Sequence, residues 1–185
     1  YSLLTLDNFL PLDVTKKLAK ELDDIPLEDC KHFTRAGSCM YEFNNCDRTP
    51  LQDEIVHTLH SSTFIKWLQQ VTDTVDLIPD PHLVGAGYMK SFAGDSLKIH
   101  TDFNWCEELK LHRMLSVVIY LNDDWEEQWG GQLNFYDSKR EKLLTKVPVG
   151  AGNCVIWNYN NFAFHGYPEP MVCPEGKSRK GIRFF

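Results

Sequence analysis

From His82 to the end of the chain, short runs of apolar and aromatic residues alternate with turn signals, the pattern of closely spaced β-strands. Strands are expected at 83–92, 97–101, 114–121, 132–136, 142–147, 153–157, 163–167 and 179–185. The turns between them are marked by Ala93-Gly94-Asp95, Asn122-Asp123-Asp124, Gly130-Gly131, Asp137-Ser138 and Gly150-Ala151-Gly152. Eight strands at fairly regular intervals predict a sandwich or jelly roll. Before residue 80 the texture is different. Val14, Leu18 and Leu22, then Ile55, Leu59, Ile65, Leu68 and Val71, recur at helical spacing within 11–22 and 51–77, so two or three helices are expected. The segment 38–43 (SCMYEF) reads as a short strand, and Pro79-Asp80-Pro81 ends the helical part, because proline cannot continue a helix. The expected fold class is mainly β with N-terminal helices (α+β). The 185 residues form one domain, a helical support region over 1–80 and a jelly-roll core over 81–185.

The composition excludes several function classes. Hydrophobic residues at 43% provide for a sizeable core. Nineteen Lys and Arg against 26 Asp and Glu give a net charge of −7, which argues against nucleic acid as a partner. The longest mainly apolar stretch, 114–121, is far short of the ~20 residues that a membrane helix needs. The first residues, YSLLTLDNFLPLD, lack the basic and apolar regions of a secretory signal. Six scattered cysteines without a CxxC pair are expected to be free thiols in a reducing, cytoplasmic compartment; in an oxidising one, Cys39 and Cys46 would be the pair to bridge.

The sharpest local feature is His100-Thr101-Asp102 at the end of an expected strand. Residues two apart on a strand share a face, so imidazole and carboxylate converge. Taken alone, such a pair is more often a surface feature or a turn cap. A second histidine, His165, lies 63 residues beyond Asp102 between Phe164 and Gly166, where an expected strand can return it to the same place. Two histidines and one carboxylate form the facial set that leaves coordination positions open on a non-haem Fe(II). The same donors also suit Zn2+ and water activation, so a zinc hydrolase is a second reading, and a non-catalytic metal-binding jelly-roll module a third. On the last strand, Arg179 and Arg183 share a face, and a guanidinium there suits bidentate pairing with a carboxylate.

Taken in order, His100-Thr101-Asp102, MLSVVIYLNDDW, GGQLNFYD, VPVGAGNCVIWN, FHGYPEP and PEGKSRKGIRFF resemble the Fe(II)- and 2-oxoglutarate-dependent oxygenases, in the branch that contains the prolyl 4-hydroxylases. The resemblance runs from about residue 83 to the end. It implies a double-stranded β-helix, with His100, Asp102 and His165 as iron ligands and Arg179 as the partner of the distal carboxylate of 2-oxoglutarate. Tyr120 corresponds to a tyrosine that hydrogen-bonds the same co-substrate. The implied cofactor is Fe(II), with 2-oxoglutarate and O2 as co-substrates and ascorbate as an accessory. The implied reaction is hydroxylation of an unactivated C–H bond in a prolyl residue of a protein or peptide, or in a small amino-acid-like metabolite. The spacing of 14 residues from His165 to Arg179 is longer than in the collagen-type enzymes, and Glu175 stands where their lysine would fall. The loop PEPMVCPEG therefore reads as an insertion, with Arg183 and Lys177 as fallbacks. Trp105, Asn104, Lys90, Tyr88 and Trp157 are candidates for the mouth of the site. Arg113 reads as a surface arginine, and His57 and His60 as exposed helix polarity.

Overall fold

The computed structural model describes residues 2–35, 38–44 and 47–185. Three helices, α1 (Leu12–Asp23), α2 (Pro50–Leu59) and α3 (Ser62–Thr72), lie in the N-terminal part. The expected single stretch over 51–77 is thus broken. Ser61 stops α2 and caps α3 by accepting the Phe64 N–H, and Thr49 opens α2 with a reciprocal capping box to Gln52.

The strands are β1 (Leu3–Leu6), β2 (Lys31–Arg35), β3 (Ser38–Phe43), β4 (Gly87–Ser91), β5 (Leu97–His100), β6 (Trp105–Cys106), β7 (Leu111–His112), β8 (Leu115–Tyr120), β9 (Leu133–Tyr136), β10 (Leu143–Val147), β11 (Cys154–Asn158), β12 (His165–Tyr167) and β13 (Arg179–Phe184). All eight expected strands from residue 82 onward are present, as is the one at 38–43. β1, β2 and the short β6–β7 hairpin are additional.

Seven strands make an antiparallel sheet in the order β1-β11-β8-β13-β4-β3-β2, and four make a second in the order β10-β9-β12-β5. The two sheets form the walls of a double-stranded β-helix. Central strand β8 is buried along its whole length because both of its faces are covered. Leu115, Val117 and Ile119 point to the helices, where they meet Leu18, Leu22, Ile55, Leu59 and Leu68. Val118 and Tyr120 point the other way and pack with Leu133, Phe135, Val155 and Trp157 between the sheets. The functional residues lie in this second space.

Cys30, Cys39, Cys106, Cys154 and Cys173 are free thiols, as expected. Cys46, the proposed partner of Cys39, lies outside the described residues. Among the described residues, no helix is long and apolar enough to cross a membrane.

Candidate metal centre

β12 pairs antiparallel with β5, and the register sets His165 directly opposite His100. Their ring centroids are 4.6 Å apart. This close approach depends on Gly166, because a Cβ there would lie 2.6 Å from the Leu97 carbonyl oxygen of β5. β5 ends at His100, so Asp102 sits just past the strand rather than on it, and its carboxylate turns back towards both rings. Asp102 Oδ1 is 3.3 Å from His100 Nε2, and Oδ2 is 3.4 Å from His165 Nε2. One donor atom from each residue lies within 4.8 Å of the others.

Backbone carbonyls fix which nitrogen each ring offers. The Nδ1–H of His100 donates to the Lys98 oxygen at 2.7 Å, and that of His165 to the Ala163 oxygen at 2.8 Å. A carbonyl can only accept, so the proton sits on Nδ1 and the Nε2 lone pair of each ring faces the cluster. Burial pulls the His165 pKa down against the opposing pull of Asp102, which favours the neutral ring, the form that ligates a metal. For His100, burial also lowers the pKa, but the hydrogen bond and charge of Asp102 outweigh it and the net shift is upward. Burial pushes the Asp102 carboxyl up, yet His165, His100 and Arg183 together hold it well below the usual carboxylate range. Two neutral-capable imidazoles and a carboxylate held in its ionised form fit a divalent cation of the Fe(II) type.

Arg179, the first residue of β13, lies in the same cavity and is buried. Its Nε donates to the Gly131 oxygen at 2.8 Å and its Nη2 to the Tyr120 hydroxyl at 3.1 Å. The rings of Tyr120 and Tyr167 flank it, with centroids 4.9 and 4.7 Å from Cζ. Gly131 is required here on two counts. Its φ is +78°, and a Cβ would press on Met171 Sδ at 2.6 Å and Arg179 Cδ at 3.0 Å. The segment after β12 accounts for the long spacing before Arg179. Met171 and Cys173 are buried, and hydrogen bonds join this segment to Gly94, Asp95 and Trp129.

The fallbacks take other roles. Arg183 lines the cavity but donates to Glu42 and to the Gly85 oxygen. Lys177 pairs with Asp124 at the surface, and Glu175 is exposed. Of the expected mouth residues, Trp157 lines the cavity and sets its ring edge-to-face against His165. Tyr88 and Lys90 do not, because alternation along β4 turns them to the helix side. The Tyr88 hydroxyl donates to Gln52, while Lys90 Nζ donates to the Leu22 and Ile25 carbonyls at the end of α1. Trp105 and Asn104 lie outside the cavity, Trp105 bonding to Glu107 and Asn104 accepting the Arg113 N–H.

Two further readings need correction. Arg113 is buried, not a surface arginine: it is clasped between the Phe103 and Phe185 rings. His57 is exposed as expected, whereas His60 is half-buried with its ring edge-to-face on Phe184. Sequence reasoning missed Met40, Met89, Leu97, Val118, Leu133 and Tyr167 as cavity lining. The signal for Tyr167 was present: it lies two residues after His165 on the same strand and thus on the same face.

The fold and the site together define a jelly roll whose cavity holds a three-donor set, His100, Asp102 and His165, suited to a metal ion. A family model described as the 2OG-Fe(II) oxygenase superfamily matches residues 86–185, more than half of the chain. The chain belongs to this superfamily and is an oxygenase that depends on Fe(II), 2-oxoglutarate and O2. No curated protein matches the chain. Among solved structures, the prolyl-4-hydroxylase of Pseudomonas putida is 18% identical with a TM-score of 0.74, over 99% of this chain and 91% of that one. A prolyl hydroxylase from Trichoplax adhaerens, in complex with a hypoxia inducible factor peptide fragment, is 14% identical with a TM-score of 0.64, over 99% and 83%. HygX from Streptomyces hygroscopicus, with nickel, 2-oxoglutarate and hygromycin B bound, is 10% identical with a TM-score of 0.57, over 98% and 81%. At these identities the likeness is one of fold.

Proposed function

We propose that the protein is a hydroxylase of an unactivated C–H bond, acting on a prolyl residue of a protein or on a small amino-acid-like molecule. The observation that carries this reading is the convergence of His100, Asp102 and His165 in one cavity with the buried Arg179. His100, Asp102 and His165 would hold Fe(II), and the remaining positions of such a three-donor set are open to co-substrate and O2. When bound, iron and 2-oxoglutarate supply the oxidation: O2 is consumed, 2-oxoglutarate becomes succinate and CO2, and C–H becomes C–OH.

The residues of the chain do the rest. Arg179 pairs with the distal carboxylate of 2-oxoglutarate. Its own orientation is set by Gly131 and Tyr120, which hold two of its nitrogens. The Tyr120 hydroxyl accepts from Arg179 and keeps its own proton to donate. Trp157, Phe135, Leu133 and Val118 surround the donors with apolar surface, which excludes water from the reacting centre. Among the solved structures of this fold, one holds a peptide fragment and another hygromycin B, so the architecture accommodates bound molecules of both kinds.

Family membership favours this reading over a zinc hydrolase or a binding module. The test is an anaerobic titration of Fe(II) and 2-oxoglutarate into the apo protein, followed by the visible charge-transfer band, in wild type and in His165→Ala. The expected result is a band in wild type and none in the variant. Bound metal without a band in wild type would overturn the proposal.

A further inference from the structure

Two guanidinium groups share one aromatic ring: Arg183 lines the metal cavity, and Arg113 lines the neighbouring pocket beside α2 and α3. Cζ of Arg113 lies 4.1 Å from the Phe185 centroid, and Cζ of Arg183 lies 5.3 Å from it. Phe103, the residue after Asp102, covers the other face of Arg113 at 4.4 Å and is itself 61% exposed. Arg183 projects from β13 on the same face as Arg179 and lines the cavity that holds His100, Asp102 and His165.

Charge and hydrogen bonding are both incomplete in this cluster. Glu42 neutralises Arg183. Among the described residues, no carboxylate lies within ion-pair distance of Arg113, whose Nη2 donates to the Val84 carbonyl. Asp80 lies nearby, but its two oxygens accept the N–H groups of His82 and Val84. Three donors of the cluster are buried without an acceptor: Nε and Nη1 of Arg113 and Nε of Arg183. Buried donors and unbalanced buried charge are costly when left unmet, and an anion would meet both deficits. 2-Oxoglutarate is not that anion. On the proposed reading its distal carboxylate is held at Arg179 and its keto-acid end at the metal, which leaves neither end for Arg113 and Arg183.

We infer that Arg113 and Arg183 receive a carboxylate of the substrate, with Phe103 as the cover that moves aside to admit it. The inference rests on the oxygenase reading and adds that the substrate is an acid. A free amino acid or small organic acid presents such a group, and so does an acidic side chain beside the reacting residue of a peptide.

The experiment uses protein loaded with Fe(II) and 2-oxoglutarate and kept free of O2. Calorimetry measures the binding of a panel of free amino acids and small organic acids, each against its own carboxamide. End-blocked proline tripeptides with and without a glutamate neighbour complete the panel. At least one acid is expected to bind tenfold or more tightly than its neutral counterpart. In Arg183→Gln, and in Arg113→Met, which keeps an apolar filler between the two phenyl rings, that preference falls below threefold while the charge-transfer band persists. A preference among free acids alone identifies a small-molecule source, and one confined to the blocked tripeptides a peptide source; either supports the site. A panel in which no acid outperforms its neutral counterpart, or a preference that survives both substitutions, overturns it. An intact wild-type band with no acid preference removes the carboxylate site alone, whereas a missing band removes the oxygenase reading itself.

Discussion

His165 faces His100 across the β5–β12 ladder, and each ring is tied through Nδ1 to a carbonyl two residues before it in sequence. The same short pairing therefore brings the two imidazoles together and sets which nitrogen each one offers. Asp102 joins them from just beyond the end of β5. The placement of the three donor atoms thus depends on a few backbone contacts as much as on the side chains themselves.

Replacing one of those donors gives the first prediction. His165→Ala leaves two donors and opens a gap beside Trp157 and Phe135. Since loss of a supporting group alone typically costs 10- to 100-fold in metal affinity, loss of a donor is expected to cost on the order of 100-fold or more. Nickel binding measured by calorimetry, with circular dichroism to confirm folding, checks this. Affinity within threefold of wild type would remove His165 from the metal centre.

Gly166→Ala is expected to act on the same centre without touching a donor. The new Cβ would lie 2.6 Å from the Leu97 oxygen and 2.9 Å from the Lys98 oxygen, both backbone atoms of β5. The strands must separate, at a cost of about 1–3 kcal/mol. Lys98 also supplies the carbonyl that orients His100, so metal affinity falls along with stability. Urea denaturation of the apo protein and nickel titration of the folded protein measure the two effects. A variant as stable as wild type would show that β12 can shift freely.

Much of this arrangement was legible in the sequence, for reasons that also mark where legibility stops. His100 and His165 sit on strands bounded by turn signals, so their return to one place was legible. Asp102 lies just past the end of β5, and its place beside them came from the resemblance rather than from the two-residue strand period. The faces of β4 were not legible. Every residue of GYMKS is buried, so no polar and apolar alternation distinguishes the side of Met89 from that of Tyr88 and Lys90. Arg113 misled for a related reason: a charged residue before an apolar strand reads as solvated, and only the folded chain brings Phe103 and Phe185 onto its two faces. β1 and β2 escaped because β1 finds its partner in β11, far along the chain, and β2 carries alternate residues too polar to stand out.

Arg179→Ala should raise the KM for 2-oxoglutarate and leave metal affinity nearly unchanged. Hydrogen bonds to charged groups contribute roughly 1.5–3 kcal/mol, which corresponds to about 10- to 150-fold. Turnover should recover in part at high 2-oxoglutarate, because the iron donors are intact. Arg179→Lys restores the charge but not the two held directions at Gly131 and Tyr120, so it is expected to fall between the two. An unchanged KM in Arg179→Ala would assign the distal carboxylate to another residue.

His60 provides a test of pH dependence away from the metal donors. Burial against Phe184 lowers its pKa below the usual 6.5, and the nearby charges of His57 and Arg48 push it the same way while Asp80 opposes them. The folded state therefore prefers the neutral ring. Its contribution to stability is complete above pH 6.5 and is lost as pH falls through the depressed folded value, where the unfolded chain holds a proton that the folded chain does not. His60→Gln lacks that titration. The difference in unfolding free energy between wild type and His60→Gln should be constant from pH 7 to 8 and should shift against wild type between pH 6.5 and 5. Comparing the two proteins at each pH cancels the contributions of His100 and His165, which both retain. A difference that stays flat down to pH 5 would mean that the His60 ring protonates as readily in the folded protein as in the unfolded chain, and that its contact with Phe184 does not shield it from water.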